Sequence, residues 1–448
     1  MLIRRHAPQR RWPTWLIAGI LLIYTPTVQA QHEDRPITLQ AAIARSLEAG
    51  THVRRAGARH EAALAASGPL SSEYIPSARV TASSTLSQYP LTVTPIREQG
   101  VFPPLDDQIQ EVSFNLSWTV FDFGQGRAAR RSAQALAEAA GVEYDLARME
   151  TVERVTTAYV HLAHLTSIRD AQQDRLDALN ERRAELTALH DEGRVPDVEL
   201  LRIAEVVLSA ETDLRKTRND VASVLLELSG TLNMPETLDI EDIALFPLVA
   251  AKASPAAVDP AASPRVTLAR KTLEAARFSA READRSSFPA IELFAAERLR
   301  AGSDFSFDDD LYGGIRLSVP LFQPRQQVLR QVERATVNER EEALIAAERE
   351  FANAARDLAN REREAYERSV ANEARVRHLE ETYRIEAAAH EEGRLTLSDL
   401  LDTEGRLAAA RGELAAAKAL AITIRLQRDV LAGTLTPSSV LHLIGKEE

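Results

Sequence analysis

The sequence predicts a mixed α and β membrane protein in which amphipathic strands feed very long helices, with the whole unit occurring twice. Three observations predict it. Val112 to Val120 alternates apolar and polar residues, turns at Gly124-Gln125-Gly126, and continues as an Ala-, Glu- and Arg-rich helical stretch with no proline before Pro196. At ~1.5 Å per residue that helix spans about 100 Å, far beyond a globular one. The pattern then returns, with Glu192-Gly193-Arg194 repeated as Glu392-Gly393-Arg394 and Leu200-Leu201 as Leu400-Leu401, both at an offset of 200. Finally, beyond residue 30 no run of about 18 apolar residues exists, so no membrane-spanning helix is available.

Residues 1–30 read as a signal peptide. Arg4, Arg5, Arg10 and Arg11 form a basic segment, Trp15 to Tyr24 an apolar one, and Val28-Gln29-Ala30 offers small residues for cleavage. The first unit is expected over 31–246. It opens with a helix over 31–66, capped by Thr38, with Leu39, Ala42, Ile43 and Leu47 on one face. Ser67-Gly68-Pro69 breaks it. A strand follows at about 74–88, then a proline-containing loop from Tyr89 to Gln108, then the second strand at about 110–123. The long helix covers about 125–191. Its apolar seam runs Leu146, Met149, Val152, Val155, Tyr159, Leu162, Leu165, Ile168, Leu176, Leu179, Leu186 and Leu189. Gly193 ends it in a left-handed cap, and a return helix covers about 197–230. Prolines among Ala and Ser mark a linker over 247–264.

The second unit, 265–435, repeats this order. A helical stretch over 265–285 leads to strands at about 288–300 and 311–322, separated by an acidic loop from Asp304 to Asp310. A second long helix covers about 325–391, and a return helix about 396–432. Residues 436–448 are a tail.

Composition bounds the function. The chain carries a net charge of −12, and its leader holds four arginines and no acid, so the remainder is more acidic still. An acidic chain is a poor match for nucleic acid. Cysteine is absent, which excludes disulfides and a lipid on an N-terminal cysteine. An exported chain without a membrane helix enters a membrane only as a β-barrel. Four strands cannot close one, and the smallest membrane barrels have about eight. Several copies must therefore share a barrel, and a ring of three gives twelve strands.

This pattern resembles the TolC-like outer membrane efflux protein family over residues 31–435. The marks are Trp118-Thr119-Val120-Phe121-Asp122-Phe123-Gly124 running into the long helix, its weaker copy Val319-Pro320-Leu321-Phe322, and the two glycine tips. The resemblance implies a homotrimer with a twelve-stranded barrel in outer membrane lipid, four strands per chain, continued by a periplasmic α-helical coiled-coil barrel. It further implies a channel for passive exit, served by a periplasmic adaptor and an inner-membrane pump of the RND or ABC type, in multidrug efflux or type I secretion. No catalytic residue, cofactor or metal is implied. The cargo is not written in the sequence.

Three sets of site residues follow. Gly193, Arg194 and Val195, with Gly393, Arg394 and Leu395, are the tips that the resemblance assigns to adaptor docking; two ordinary capped helix turns is the competing reading. Asp399 and Asp402, at i and i+3, project from one helix face. The resemblance makes them a periplasmic gate, six carboxylates in a trimer, against the alternative of a solvated face. Where the family often has an arginine near this tip, Leu395 stands here, with Arg394 beside it. Gly124 and Gly126 form the barrel-to-helix joint.

Other patterns carry less. Gly124-Gln125-Gly126-Arg127-Ala128-Ala129 fits a dinucleotide fingerprint, but no second strand follows about 20 residues on. His161 and His164 at i, i+3 lack a third metal ligand. Asp308-Asp309-Asp310 reads as a solvated loop before a calcium site. The alternative for the whole chain is a soluble periplasmic coiled-coil adaptor, which should hold one hairpin rather than two with amphipathic strand pairs.

Overall fold

The computed structural model describes residues 37–69, 74–93, 99, 102, 105–234, 259–303, 305 and 307–443. The expected signal peptide (1–30), most of the expected linker (247–264) and parts of the strand loops lie outside these residues.

Helix α1 (Leu39–Ala49) starts where Thr38 Oγ1 accepts the Ala41 amide at 3.2 Å, and Gly50, in extended backbone, separates it from α2 (Thr51–Ser67). Strand β1 (Ser77–Thr92) and β2 (Leu105–Phe121) lead into α3 (Gln125–Asp191), which turns back as α4 (Asp197–Leu232). After a short 3-10 turn at Pro260–Ala262 come α5 (Pro264–Arg285), β3 (Ala290–Ala301), β4 (Asp308–Ser318), α6 (Pro324–Glu391) and α7 (Leu397–Ala432). The expected tail holds a short helix, α8 (Pro437–Leu443). Among the described residues no helix is long and apolar enough to cross a membrane.

The four strands form one antiparallel sheet in the order β1-β2-β3-β4. Its register separates two faces. Ala78, Val80 and Ala82 stand opposite Leu116, Phe114 and Val112, which stand opposite Ala295, Glu297 and Leu299, and β4 adds Leu311, Ile315 and Leu317. Apart from Glu297 and Asp309, both toward its outer end, this face is apolar and exposed: Phe114, Leu116, Leu311 and Ile315 all stand open to solvent in the single chain. The band covers nine residues on β2 and nine on β3, close to the ~9–11 that a tilted strand needs to cross a bilayer. The opposite face is polar and internally paired. Arg300 meets Glu111 at 2.7 Å, Arg316 meets Glu292 at 3.1 Å, and Arg298 donates to the Tyr312 hydroxyl at 2.6 Å. Alternation with period two thus gives a lipid-compatible face and a lumen-compatible one.

Three strand boundaries differ from the sequence expectation. β1 runs on through Tyr89 and Pro90 to Thr92, with a register shift between Leu86 and Leu91. Proline is tolerated there because Pro90 falls in the irregular stretch between Leu86 and Leu91, where β1 has no ladder partner on β2 to lose. β2 begins at Leu105 rather than at about 110, so strand takes in the end of the expected loop. β4 covers 308–318 rather than 311–322: Asp308 and Asp310 stand opposite Arg300 and Arg298, so the acidic run is held in the strand by opposite charges and is not a loop. At its other end Pro320, without an N–H, cannot extend the ladder.

The helices do not share one core. The largest cluster joins Leu39 and Ile43 of α1, Val155 and Tyr159 of α3, Leu228 and Leu232 of α4, Leu426 of α7 and Val440 of α8. Smaller clusters follow toward the hairpin ends, such as Leu179, Ile203, Val207 and Ala210. Within the predicted α3 seam, Val152, Val155, Tyr159, Leu162, Leu165 and Leu179 are buried. Each hairpin is therefore zipped by a serial seam, as in a coiled coil.

Candidate functional site

At the strand-to-helix joint the chain takes two successive left-handed residues, Phe123 (φ 55°) and Gly124 (φ 86°). Such a pair reverses the chain sharply, and only glycine adopts the second conformation without strain. Asp122 holds the turn. Its carboxylate accepts the Gly124 amide at 2.9 Å, the Gly126 amide at 2.6 Å and the Tyr74 hydroxyl at 2.5 Å. Gly126 is needed for closeness: a Cβ there would lie 3.0 Å from the Asp122 carboxylate and 3.1 Å from the Tyr74 ring. Arg285, at the end of α5, donates to the Gly124 carbonyl at 2.9 Å, and Trp118 donates to the Tyr74 carbonyl at 2.7 Å. Burial pushes the Asp122 carboxyl up, but the bonds from Tyr74, Gly126 and Gly124 outweigh it and hold the group below the ordinary carboxylate range. Burial and the bond to Asp122 together push Tyr74 up to about 12. Gly124 and Gly126 were legible in the sequence. Tyr74, Asp122 and Arg285 were not singled out, although Asp122 lies inside the quoted motif.

The two tips share one backbone. Gly193 (φ 72°) and Gly393 (φ 71°) are left-handed, and each helix ends in paired bonds: Gly193 N to His190 O and Arg194 N to Leu189 O, with Gly393 N to His390 O and Arg394 N to Ala389 O. This is the Schellman arrangement, which satisfies carbonyls that the helix end leaves open. Each tip also carries a side-chain staple. His190 Nδ1 bonds the Val195 carbonyl at 2.9 Å, and His390 Nδ1 bonds the Leu395 carbonyl at 2.9 Å. These histidines were missed, though the recurring His three residues before each tip glycine was available in the sequence. The tips differ at the start of the return helix. In the first, His190 Nε2 lies 3.3 Å from Asp197; in the second, Thr396 caps the helix by accepting the Asp399 amide at 3.2 Å. Arg194 and Arg394 each pair with the glutamate two residues back, Glu192 and Glu392.

Asp399 and Asp402 are exposed on one face of the first turns of α7, while Leu400 and Thr403 beside them are buried. Asp399 also accepts the Thr396 hydroxyl at 2.6 Å, and Asp402 lies 3.9 Å from Arg406. Two residues further on, Glu404 faces Arg175 of α3 at 3.9 Å and so links the two hairpins. Burial pushes its carboxyl up, against Arg175 and Arg182, which lower it.

His161 and His164 stack at 6.4 Å and line a cavity of about 580 Å³ with Glu150, Glu153 and Glu227. His164 is pushed down by burial and by His161. Among the described residues no group of three His, Cys, Asp or Glu is placed to hold a metal ion.

Comparison with known proteins fits this geometry. Residues 42–233, from α1 through α4, match the outer membrane efflux protein family. No curated protein matches the sequence. Among solved structures, the outer membrane protein VceC from Vibrio cholerae is 20% identical, with a TM-score of 0.73 over 88% of this chain and 96% of that one. The CmeC outer membrane channel of Campylobacter jejuni is 14% identical, with a TM-score of 0.73 over 91% and 89%. The open state of the Neisseria gonorrhoeae MtrE outer membrane channel is 17% identical, with a TM-score of 0.73 over 89% and 91%. At such identities the likeness establishes the fold, mostly helical with one four-stranded antiparallel sheet, through both hairpins. Residues 42–233 thus carry an outer membrane efflux protein domain, seated on the first hairpin and its strands, and the chain as a whole has the fold of solved outer membrane channels.

Proposed function

We propose that this chain is the outer membrane exit channel of a tripartite efflux or type I secretion system, working as a homotrimer with a periplasmic adaptor and an inner-membrane pump. The observation that carries the reading is the sheet: its apolar face is exposed, and β1 and β4 are left as open edges. Unpaired edges are not tolerated in lipid, so the sheet must be completed by others. Three copies contribute twelve strands, enough to close a barrel. The two units, 31–246 and 265–435, are the tandem repeats of this design, joined by the 247–264 linker.

The chain has no cysteine, so edge pairing is testable directly. Thr81→Cys on β1, combined in turn with Tyr312→Cys, Gly314→Cys or Arg316→Cys on β4, is expected to give a covalent ladder ending at three chains on oxidation. Monomer from every pair, or a ladder running past three, sinks the closed trimer.

The tips at Gly193-Arg194-Val195 and Gly393-Arg394-Leu395 are the adaptor-docking points in this reading, and Asp399 with Asp402 forms a ring of carboxylates at the periplasmic end. Such a ring attracts cations. Single-channel recordings of the Asp399→Ala, Asp402→Ala double variant are expected to show the cation-to-anion permeability ratio falling toward unity. An unchanged ratio removes these residues from the constriction.

A further inference from the structure

Around the joint the chain stacks two layers of different chemistry. At the level where the strands end, Phe121, Phe123, Phe288, Leu321 and Phe322 are all exposed, the last two at 92% and 79%. Phe121, Phe123 and Phe288 form a continuous run, with ring centroids 4.8 and 5.8 Å apart. Immediately beyond lie the two helical turns nearest the sheet: the first seven residues of α3 and α6 and the last seven of α5. These turns hold seven arginines against two carboxylates, Glu282 and Asp284, in a chain whose net charge is −12. Asp284 is itself engaged by Arg334 at 3.1 Å. At ~1.5 Å per residue the whole layer lies within about 10 Å of the strand ends. Arg127, Arg130, Arg131, Arg281 and Arg325 are exposed in it.

An aromatic row followed within one or two turns by a basic row is the profile of a membrane–water boundary. Aromatic rings rest among head groups, and guanidinium groups pair with phosphate in a fork of two hydrogen bonds. We infer that this arginine collar seats the channel on anionic phospholipid head groups of the periplasmic leaflet of the outer membrane. The inference rests on the sheet lying in lipid, as argued above. The partner is an anionic lipid surface because the feature is a belt distributed over three helices, not a pocket that would enclose one free phosphate.

Trp118 provides the readout, since it stands on the lipid-compatible face at the level of the joint. With Trp12 and Trp15 replaced by Phe, it is the one tryptophan left in the chain. The full chain is reconstituted into phosphatidylcholine vesicles, and its fluorescence is quenched by brominated phosphatidylglycerol or brominated phosphatidylcholine. Each basic group near an anionic surface strengthens binding about fivefold, so the unaltered collar is expected to favour phosphatidylglycerol about fivefold or more at low salt. Raising the salt to ~0.5 M should compress the preference. Arg130→Gln, Arg281→Gln, Arg325→Gln together should cut it severalfold, leaving only what Arg127 and Arg131 supply, while Arg183→Gln, Arg384→Gln, Arg406→Gln, the same charge change far from the joint, should leave it intact. Equal quenching by both lipids with the collar intact overturns the inference, although quenching itself would still place the sheet in lipid. No quenching by either lipid instead overturns the seating. A collar variant that keeps the preference but loses the cross-linked trimer reassigns the arginines to contacts between copies and also overturns the inference.

Discussion

Glu362→Ala is expected to destabilise the α6–α7 hairpin by about 3 kcal/mol, because it strands a charge inside the helix pair. Glu362 is 7% exposed and Arg428 15%, and the two carboxylate oxygens accept from Arg428 Nη1 at 3.0 and 2.9 Å. Asp429, at 3.6 Å from the same guanidinium, compensates only in part, and burial already pushes its own carboxyl up. The loss should appear in urea-dependent unfolding followed by helical circular dichroism, as a lower midpoint at unchanged slope. Replacing both partners with leucine should restore most of the stability, because the desolvation cost disappears together with the pair. A Glu362→Ala loss below about 1 kcal/mol would mean the pair is solvated in the assembled protein.

Asp122→Ala is expected to cost about 3 kcal/mol at the joint, from three hydrogen bonds of about 1 kcal/mol each, and to unfasten β2 from α3. The pH dependence has a definite sign. The folded carboxyl titrates below its ordinary value, so its contribution is present above about pH 4, the unfolded value, and is lost as pH falls through the folded one. Tyr74 works in the opposite direction: raised to about 12, it contributes fully below about pH 10 and is lost as pH rises through 12. Emission from Trp118, bonded to the Tyr74 carbonyl, should follow both transitions. In Asp122→Ala the acid step should vanish; its persistence would assign the step to another carboxylate.

Much of this protein is legible from local spacing. The alternation of β2, the left-handed glycines at 124, 193 and 393, and the ends of the long helices near Asp191 and Glu391 depend on residues within one turn or one strand step of each other. The period of the side chains and the cap chemistry therefore suffice. The same is true of the Asp399 and Asp402 pair, whose common face follows from helix geometry alone. The histidine staples were also local and could have been found from the recurring His at a fixed distance from each tip.

What the sequence by itself determined, then, is which segments are strands and helices, where the helices turn, and that four strands cannot stand alone. Tertiary structure decided the contacts between segments far apart in the chain. It set β2 against β3, carried β1 through Pro90, held Asp308 and Asp310 in β4 opposite Arg300 and Arg298, and brought Arg285 to the Gly124 carbonyl across 161 residues. It also buried Glu362 against Arg428 and gathered arginines from three helices into one collar. The physical reason is that backbone hydrogen bonds within a helix and side-chain alternation along a strand are fixed by neighbours in sequence, whereas ion pairs, edge positions and charge belts depend on which distant segments pack together.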